Sequence, residues 1–215
     1  MRLSRQRDAY VVGQYSPRWA VVQYNGFNYF LQQRELLGLR LGQDVRQAVA
    51  SMQAPLPLNE QHLLDVARVV EVPGASQNEL YARGKVWFAS TFQSTLNATQ
   101  ADDKQAGILI GRAWRPSYIP LPGGSLYSTK IWYTVKLSFK DGRYRYSFTD
   151  FSFSEYGGAN TLGSYPAEGL VFATRANGNP TNEARILTRA LGQEAYFLRT
   201  ALELGMSKPA AGADF

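Results

Sequence analysis

The chain contains no cysteine and one histidine, His62. Without thiols there is no disulfide, thiolate zinc site, iron–sulfur cluster or cysteine nucleophile. Any histidine-dependent triad would have to use His62, yet its setting, NEQHLLDV, holds no nucleophile motif, so a surface or capping role is expected. The phosphate-cradling patterns G-x-x-x-x-G-K-[ST] and G-x-G-x-x-G are absent, as is the G-x-S-x-G elbow. No apolar run approaches the roughly 18–20 residues of a membrane-spanning helix. Asp102 and Asp103 are adjacent but have no further ligands beside them, and read as a charged hairpin loop. Asp150 and Glu155 form no carboxylate pair that spacing can place. The expectation is a non-enzymatic protein without catalytic, cofactor-binding or metal-ligating residues.

What is present is a foldable, mildly basic chain. Of 215 residues, 45% are hydrophobic and 13% aromatic, enough for a packed core. Lys and Arg number 23 against 17 acidic residues, a formal charge of +6 that inclines the surface toward anionic partners. The start, MRLSRQRDAYVV, has the basic opening of a signal peptide without an apolar region behind it. The final SKPAAGADF reads as a flexible tail.

Ala20–Tyr24 and Phe27–Leu31 read as strands around an Asn25–Gly26 hairpin turn. An amphipathic helix is expected over Gln43–Met52, then a proline-bearing linker, APLPL, at 54–58. Val66–Val72 reads as a strand stopped by Pro73–Gly74. Ser76 and Glu79 form a capping-box pattern opening a helix whose stripe is Leu80, Gly84, Trp87, Phe88 and Thr91. Gly84 would let that helix lie close on a sheet. A strand follows near Gly107–Ala113. After it WRPSYIPLPGGSLYS, rich in proline and glycine, is expected to be an irregular loop carrying Trp114, Tyr118 and Tyr127. Glu155–Gly169 is expected to be irregular too. A last helix from about Asn182 to Leu204 would turn Leu187, Leu191, Leu198 and Leu202 to the sheet.

Ile131–Phe139 and Arg143–Phe151 form the clearest pair. A two-residue Asp141–Gly142 turn pairs Lys140 with Arg143, and side-chain alternation then assigns the faces. Tyr133, Val135, Leu137, Phe139, Tyr144, Tyr146 and Phe148 face the core. Trp132, Lys136, Lys140, Arg143, Arg145 and Phe151 share the wet face, a candidate anion-binding surface with chemistry suited to phosphates and stacked bases. Trp114, Tyr118 and Tyr127 in the loop, with Tyr24, Phe27 and Tyr29 in the first hairpin, are the candidate interaction surface.

The segments VPGASQNELYARGKVWF, DDKQAGILIGRA and VKLSFKDGRYRYSFTDF resemble a Bacteroidota family known as a domain of unknown function with a TBP-like fold. The resemblance covers roughly residues 56–153. It implies an α+β, β-α-β-β-β-β-α module, an antiparallel sheet packed by two helices, which agrees with the strand and helix reading above. Residues 1–55 are then a β-rich extension, 56–205 the domain and 206–215 the tail. Family members are typically exported, which implies a periplasmic, outer-membrane-associated or secreted protein if a leader was removed, and a cytoplasmic one if Met1 is the native start. The expected role is a binding or structural module with a protein or glycan partner. Nucleic-acid binding through the basic sheet face and self-assembly are the alternatives.

Overall fold

Alternating apolar residues in the second half of the chain force a sheet with one dry face, and two amphipathic helices cover it. A computed structural model describes residues 10–16, 19–24, 27–32, 55–92, 99–120, 126–155 and 164–207. The expected helix at 43–52 and the tail lie outside them. At the N-terminal end, strands β1 (Tyr10–Ser16), β2 (Trp19–Tyr24) and β3 (Phe27–Gln32) make a three-stranded antiparallel sheet, with Tyr24 opposite Phe27 as the expected hairpin requires.

The second sheet contains β4 (Val66–Glu71), β5 (Thr99–Asp103), β6 (Ile108–Pro120), β7 (Leu126–Lys140) and β8 (Arg143–Glu155), in the order β4-β8-β7-β6-β5. Short β9 (Tyr165–Pro166) pairs with the far end of β8, on the edge that β4 occupies further along. Between β4 and β9, residues 149–151 of β8 have no strand partner on that edge among the described residues. Helices α1 (Gln77–Thr91) and α3 (Asn182–Ser207) pack on each other and on one sheet face, and the brief α2 (Ala167–Val171) joins β9 to the region before α3. The arrangement is α+β, with a strand-helix-four-strand-helix core.

Local chemistry explains the start of α1. Ser76 Oγ accepts from the Glu79 N–H at 3.2 Å, the expected cap, while Glu79 itself pairs with Arg83 instead of reaching back. The β7–β8 turn docks on the same spot. Asp141 accepts the Gln77 N–H at 2.7 Å, and the Gly142 N–H donates to Ala75 O at 2.8 Å. Gly142, at φ 73°, takes the left-handed conformation that the tight turn requires. Gly84 permits the close approach read from the sequence: a Cβ there would lie 2.4 Å from Phe139 Cζ. Leu187, Leu191, Leu198 and Leu202 of α3 are all buried, as its periodicity predicts.

The β7–β8 register has Lys140 opposite Arg143, and the seven expected core residues are buried. Three expectations fail. The stretch expected as an irregular loop is largely strand: β6 continues through Trp114, Pro116 and Pro120, and β7 resumes at Leu126. Two prolines fit because, among the described residues, β5 pairs only as far as Gly111 and no strand pairs with the other edge of β6 beyond it, where absent N–H groups are harmless. Of the Glu155–Gly169 stretch, expected irregular, residues 156–163 lie outside the described residues, and its end contains β9 and the start of α2 instead. Phe151 is not on the wet face; it is buried at 2% exposure. A β-bulge sets Asp150 and Phe151 against the single residue Tyr133, with Asp150 at φ 52°, and the extra residue rotates every later side chain of β8 by one position.

Candidate functional site

The sheet face away from the helices is built in lanes that the register specifies. Trp114 on β6 lies directly opposite Trp132 on β7, with ring centroids 6.0 Å apart and planes tilted by 44°. Both rings are half-buried. The Arg112 guanidinium sits over Trp132 at 5.8 Å, and the Lys130 ammonium over Trp114 at 4.7 Å. The Trp132 indole N–H donates to Ser154 Oγ at 3.0 Å, which holds the ring in place. The result is a ladder of cation, ring, ring and cation across two strands, an arrangement in which each ring's negative face meets a positive charge.

The expected basic cluster occupies the other end of the same face. Lys136, Lys140, Arg143 and Arg145 are exposed there, and Glu71 stands opposite Arg143. Lys136 lies four positions along β7 from Trp132, which at about 3.3 Å per residue is roughly 13 Å. The expected union of Trp132, Phe151 and these four cations is therefore not one constellation. Phe151 is in the core, and the cations that contact the tryptophans are Arg112 and Lys130, which sequence reasoning missed. Arg112 lies in the strand expected at Gly107–Ala113 and Lys130 just after the expected loop; with 114–128 read as a loop, the β6–β7 register that brings both to the rings could not be written. Of the other interaction candidates, Tyr118 pairs with Ser128 and Tyr127 with Ile119 in the β6–β7 ladder, while Tyr29 pairs with Val22 in the first sheet. The side chains of Tyr118, Tyr127, Tyr24, Phe27 and Tyr29 lie outside the described residues.

Beside Arg112 the face opens into a cleft of about 490 Å³ at the β8 bulge. The turn before β4 forms one wall, with Asn59, Leu63 and Leu64; β9 and α2 form the other, with Ser164, Pro166 and Glu168; residues 149–152 are the floor. Glu168 Oε1 accepts the Leu64 N–H at 3.0 Å and ties the walls together. His62 stands in the turn that ends at this wall, at φ 59°, with its N–H donating to Asn59 O.

Two other polar groupings are structural. Asp102 bonds Tyr81 and Lys85 of α1, and Asp103 caps the Ala106 N–H at 2.9 Å, so this pair closes a hairpin and anchors a helix. Between sheet and α3, Glu194 pairs with Arg115 Nε at 3.1 Å and accepts from Tyr133 at 3.1 Å. Burial pushes the Glu194 carboxyl above its ordinary value, against the pull of Arg115. The same burial raises the Tyr133 phenol, with Glu194 adding to the effect. Arg115 stacks on Phe197 at 3.8 Å. These side chains are buried beneath α3, and none of them lines the cleft beside Arg112. Among the described residues no group of three His, Asp or Glu could hold a metal ion, and no helix is long and apolar enough to cross a membrane.

Comparison with known proteins bears on the fold. No curated protein matches the chain. A crystal structure of a DUF4468 family protein from Bacteroides ovatus ATCC 8483 superposes with a TM-score of 0.59 at 15% identity, covering 73% of this chain and 92% of that one. A TBP-like protein from Parabacteroides distasonis ATCC 8503 superposes with a TM-score of 0.56 at 14% identity, covering 72% and 98%. At these identities the likeness concerns the fold. Residues 67–154, from β4 to the end of β8, match the family described as Domain of unknown function (DUF4468) with TBP-like fold.

Proposed function

We propose that this TBP-like domain is a non-enzymatic binding module of the bacterial cell envelope or exterior, and that it engages a protein or glycan through the sheet face opposite α1 and α3, around Trp114 and Trp132. The observation that carries the reading is the cation-flanked tryptophan pair. Two large rings stand half-exposed on a rigid two-stranded support, where their apolar surface contributes nothing to the core. Aromatic residues fixed in this way bind with little loss of side-chain entropy.

A second reading, nucleic-acid binding, has its own observation: Arg112, Lys130, Lys136, Lys140, Arg143 and Arg145 all stand on this face. The separation of the rings from the densest cations weakens it, because base stacking and phosphate contacts would fall on different parts of the sheet. Self-assembly through the edge of β6 that no described strand pairs is disfavoured, since Pro116 and Pro120 lack the N–H donors that a pairing strand would use.

The test compares wild type, Trp114→Ala and the triple reversal Lys136→Glu, Arg143→Glu, Arg145→Glu for retention on immobilised envelope glycans and proteins. Retention lost in Trp114→Ala and kept in the triple reversal supports the proposal. Retention unaffected by Trp114→Ala, in a variant whose melting temperature is unchanged, removes it.

A further inference from the structure

The cleft at the β8 bulge has a chemistry of its own. Arg112 reaches it from β6 across Thr134, with its guanidinium held over the Trp132 ring. Among the described residues no carboxylate pairs with Arg112, so its fork of donors is available to a ligand. Acceptors stand nearby. Asp150 is exposed at the rim, bonded to the Thr149 hydroxyl at 3.3 Å. Glu168 uses one oxygen on Leu64 N–H, and the other has no partner among the described residues. Asn59 Oδ1 accepts the Gln61 and Leu63 N–H groups, leaving its amide hydrogens to donate. Leu63, 50% exposed, offers an apolar flank.

Backbone conformation points to the same place. His62 and Asp150 are the two non-glycine residues with positive φ among the described residues; Asp150 lies in the floor of this cleft, and His62 stands next to Leu63 of its wall without lining it. Left-handed backbone at a non-glycine residue is disfavoured, and such positions gather where a site is shaped. At about 490 Å³ the volume falls in the range of small-molecule sites and far exceeds an inorganic anion.

A suitable ligand combines one carboxylate for Arg112 with hydroxyl groups for Asp150, Glu168 and Asn59, and a C–H face for Leu63. A phosphate would meet two carboxylates, and a nucleobase would find no exposed ring, since Phe151 is buried. A neutral sugar would leave the guanidinium unanswered. We propose that this cleft binds a uronic acid unit of an anionic glycan, with the sugar carboxylate on Arg112. The inference rests on the binding-module reading and specifies its ligand class.

The probes are free glucuronate and galacturonate, titrated into isotope-labelled protein with amide shifts followed by NMR. Glucose, inorganic phosphate and glycine serve as comparators. Saturable shifts confined to residues 59–64, 149–152 and 164–168 are expected. Arg112→Gln should weaken them by about tenfold to a hundredfold, the size of a charge-assisted contact, and glucose should bind correspondingly less. Arg112→Gln alters a surface group, and unchanged shifts elsewhere in its spectrum will show that it is folded. An absence of saturable shifts by about 20 mM uronate, ample for a millimolar Kd, overturns the assignment. Equal binding of glucose, phosphate or glycine does so too, as does a titration indifferent to Arg112→Gln. If the uronates fail while Trp114-dependent retention of another glycan or a protein persists, the cleft assignment alone falls and the binding-module reading stands.

Discussion

Replacing Gly84 by alanine should destabilise this protein, although alanine is the better helix former. In the middle of an exposed helix the change would add about 1 kcal/mol of stability. Here the new Cβ would lie 2.4 Å from Phe139 Cζ, 3.0 Å from Phe139 Cε1 and 3.5 Å from Leu137 Cδ1. Phe139 is 2% exposed and packed edge-on against Tyr81, so its ring has no free space to enter. Relief must come from lifting α1 off the sheet. Overpacking of this kind costs about 1–3 kcal/mol, and the short contact places it in the upper part of that range. Set against the gain in propensity, the net loss is about 1–2 kcal/mol, a fall in melting temperature of roughly 2–8 °C for a domain of this size. Gly169 in α2 provides the control, because a Cβ there meets nothing within 4 Å. Gly169→Ala should stabilise by about 0.5 kcal/mol. Urea unfolding of wild type and both variants gives the comparison. A Gly84→Ala protein at least as stable as wild type would refute the close helix–sheet contact.

Ser76→Ala should cost about 1 kcal/mol through loss of the α1 cap, visible as a lower urea midpoint with unchanged slope. Asp150→Gly should keep the β8 bulge and gain up to about 1 kcal/mol by removing left-handed strain; a loss of stability there would show that the Asp150 carboxylate outweighs the strain. Glu194 gives a pH signature. Its folded-state pKa is raised above the ordinary 4.5 by burial, so the folded state holds this proton more tightly and wild type loses stability as pH rises through that window. Glu194→Gln, which cannot ionise, should therefore gain on wild type from about pH 4.5 upward, and a difference constant between about pH 4 and 8 would contradict the buried site. Arg115→Met, which strips Glu194 of its counter-charge, should cost about 3–5 kcal/mol at neutral pH.

Where structure depends on neighbours in sequence, the sequence was readable. The Ser76 cap, the Asp141–Gly142 turn with its Lys140–Arg143 register, and the leucine stripe of α3 all follow from spacing within a few residues. The failures share a different cause. Pro116 and Pro120 argue against strand unless an unpaired edge is available, and among the described residues β5 pairs with β6 only as far as Gly111. Phe151 follows strict alternation onto the wet face until Asp150 adds a residue to β8, and an aspartate does not announce a bulge as glycine can. The site suffered most from these two errors. With residues 114–128 read as a loop, β6 and β7 had no register, so Trp114 could not be placed opposite Trp132, nor Arg112 and Lys130 on the rings. The cleft joins residues 59–64, 112, 149–152 and 164–168, a meeting of segments that only the folded chain makes.

The most direct test of the binding-face account is a titration of wild type, Trp114→Ala and the Lys136/Arg143/Arg145 charge reversal. Each is titrated with a polyuronate and with duplex DNA, at about 50 and 200 mM salt, where phosphate-driven binding falls steeply. With the cleft and the tryptophan pair taken together, the account predicts polyuronate binding that Trp114→Ala weakens and the charge reversal leaves largely intact, with weak DNA binding throughout. Tight, steeply salt-dependent DNA binding that the charge reversal eliminates and Trp114→Ala spares would contradict it.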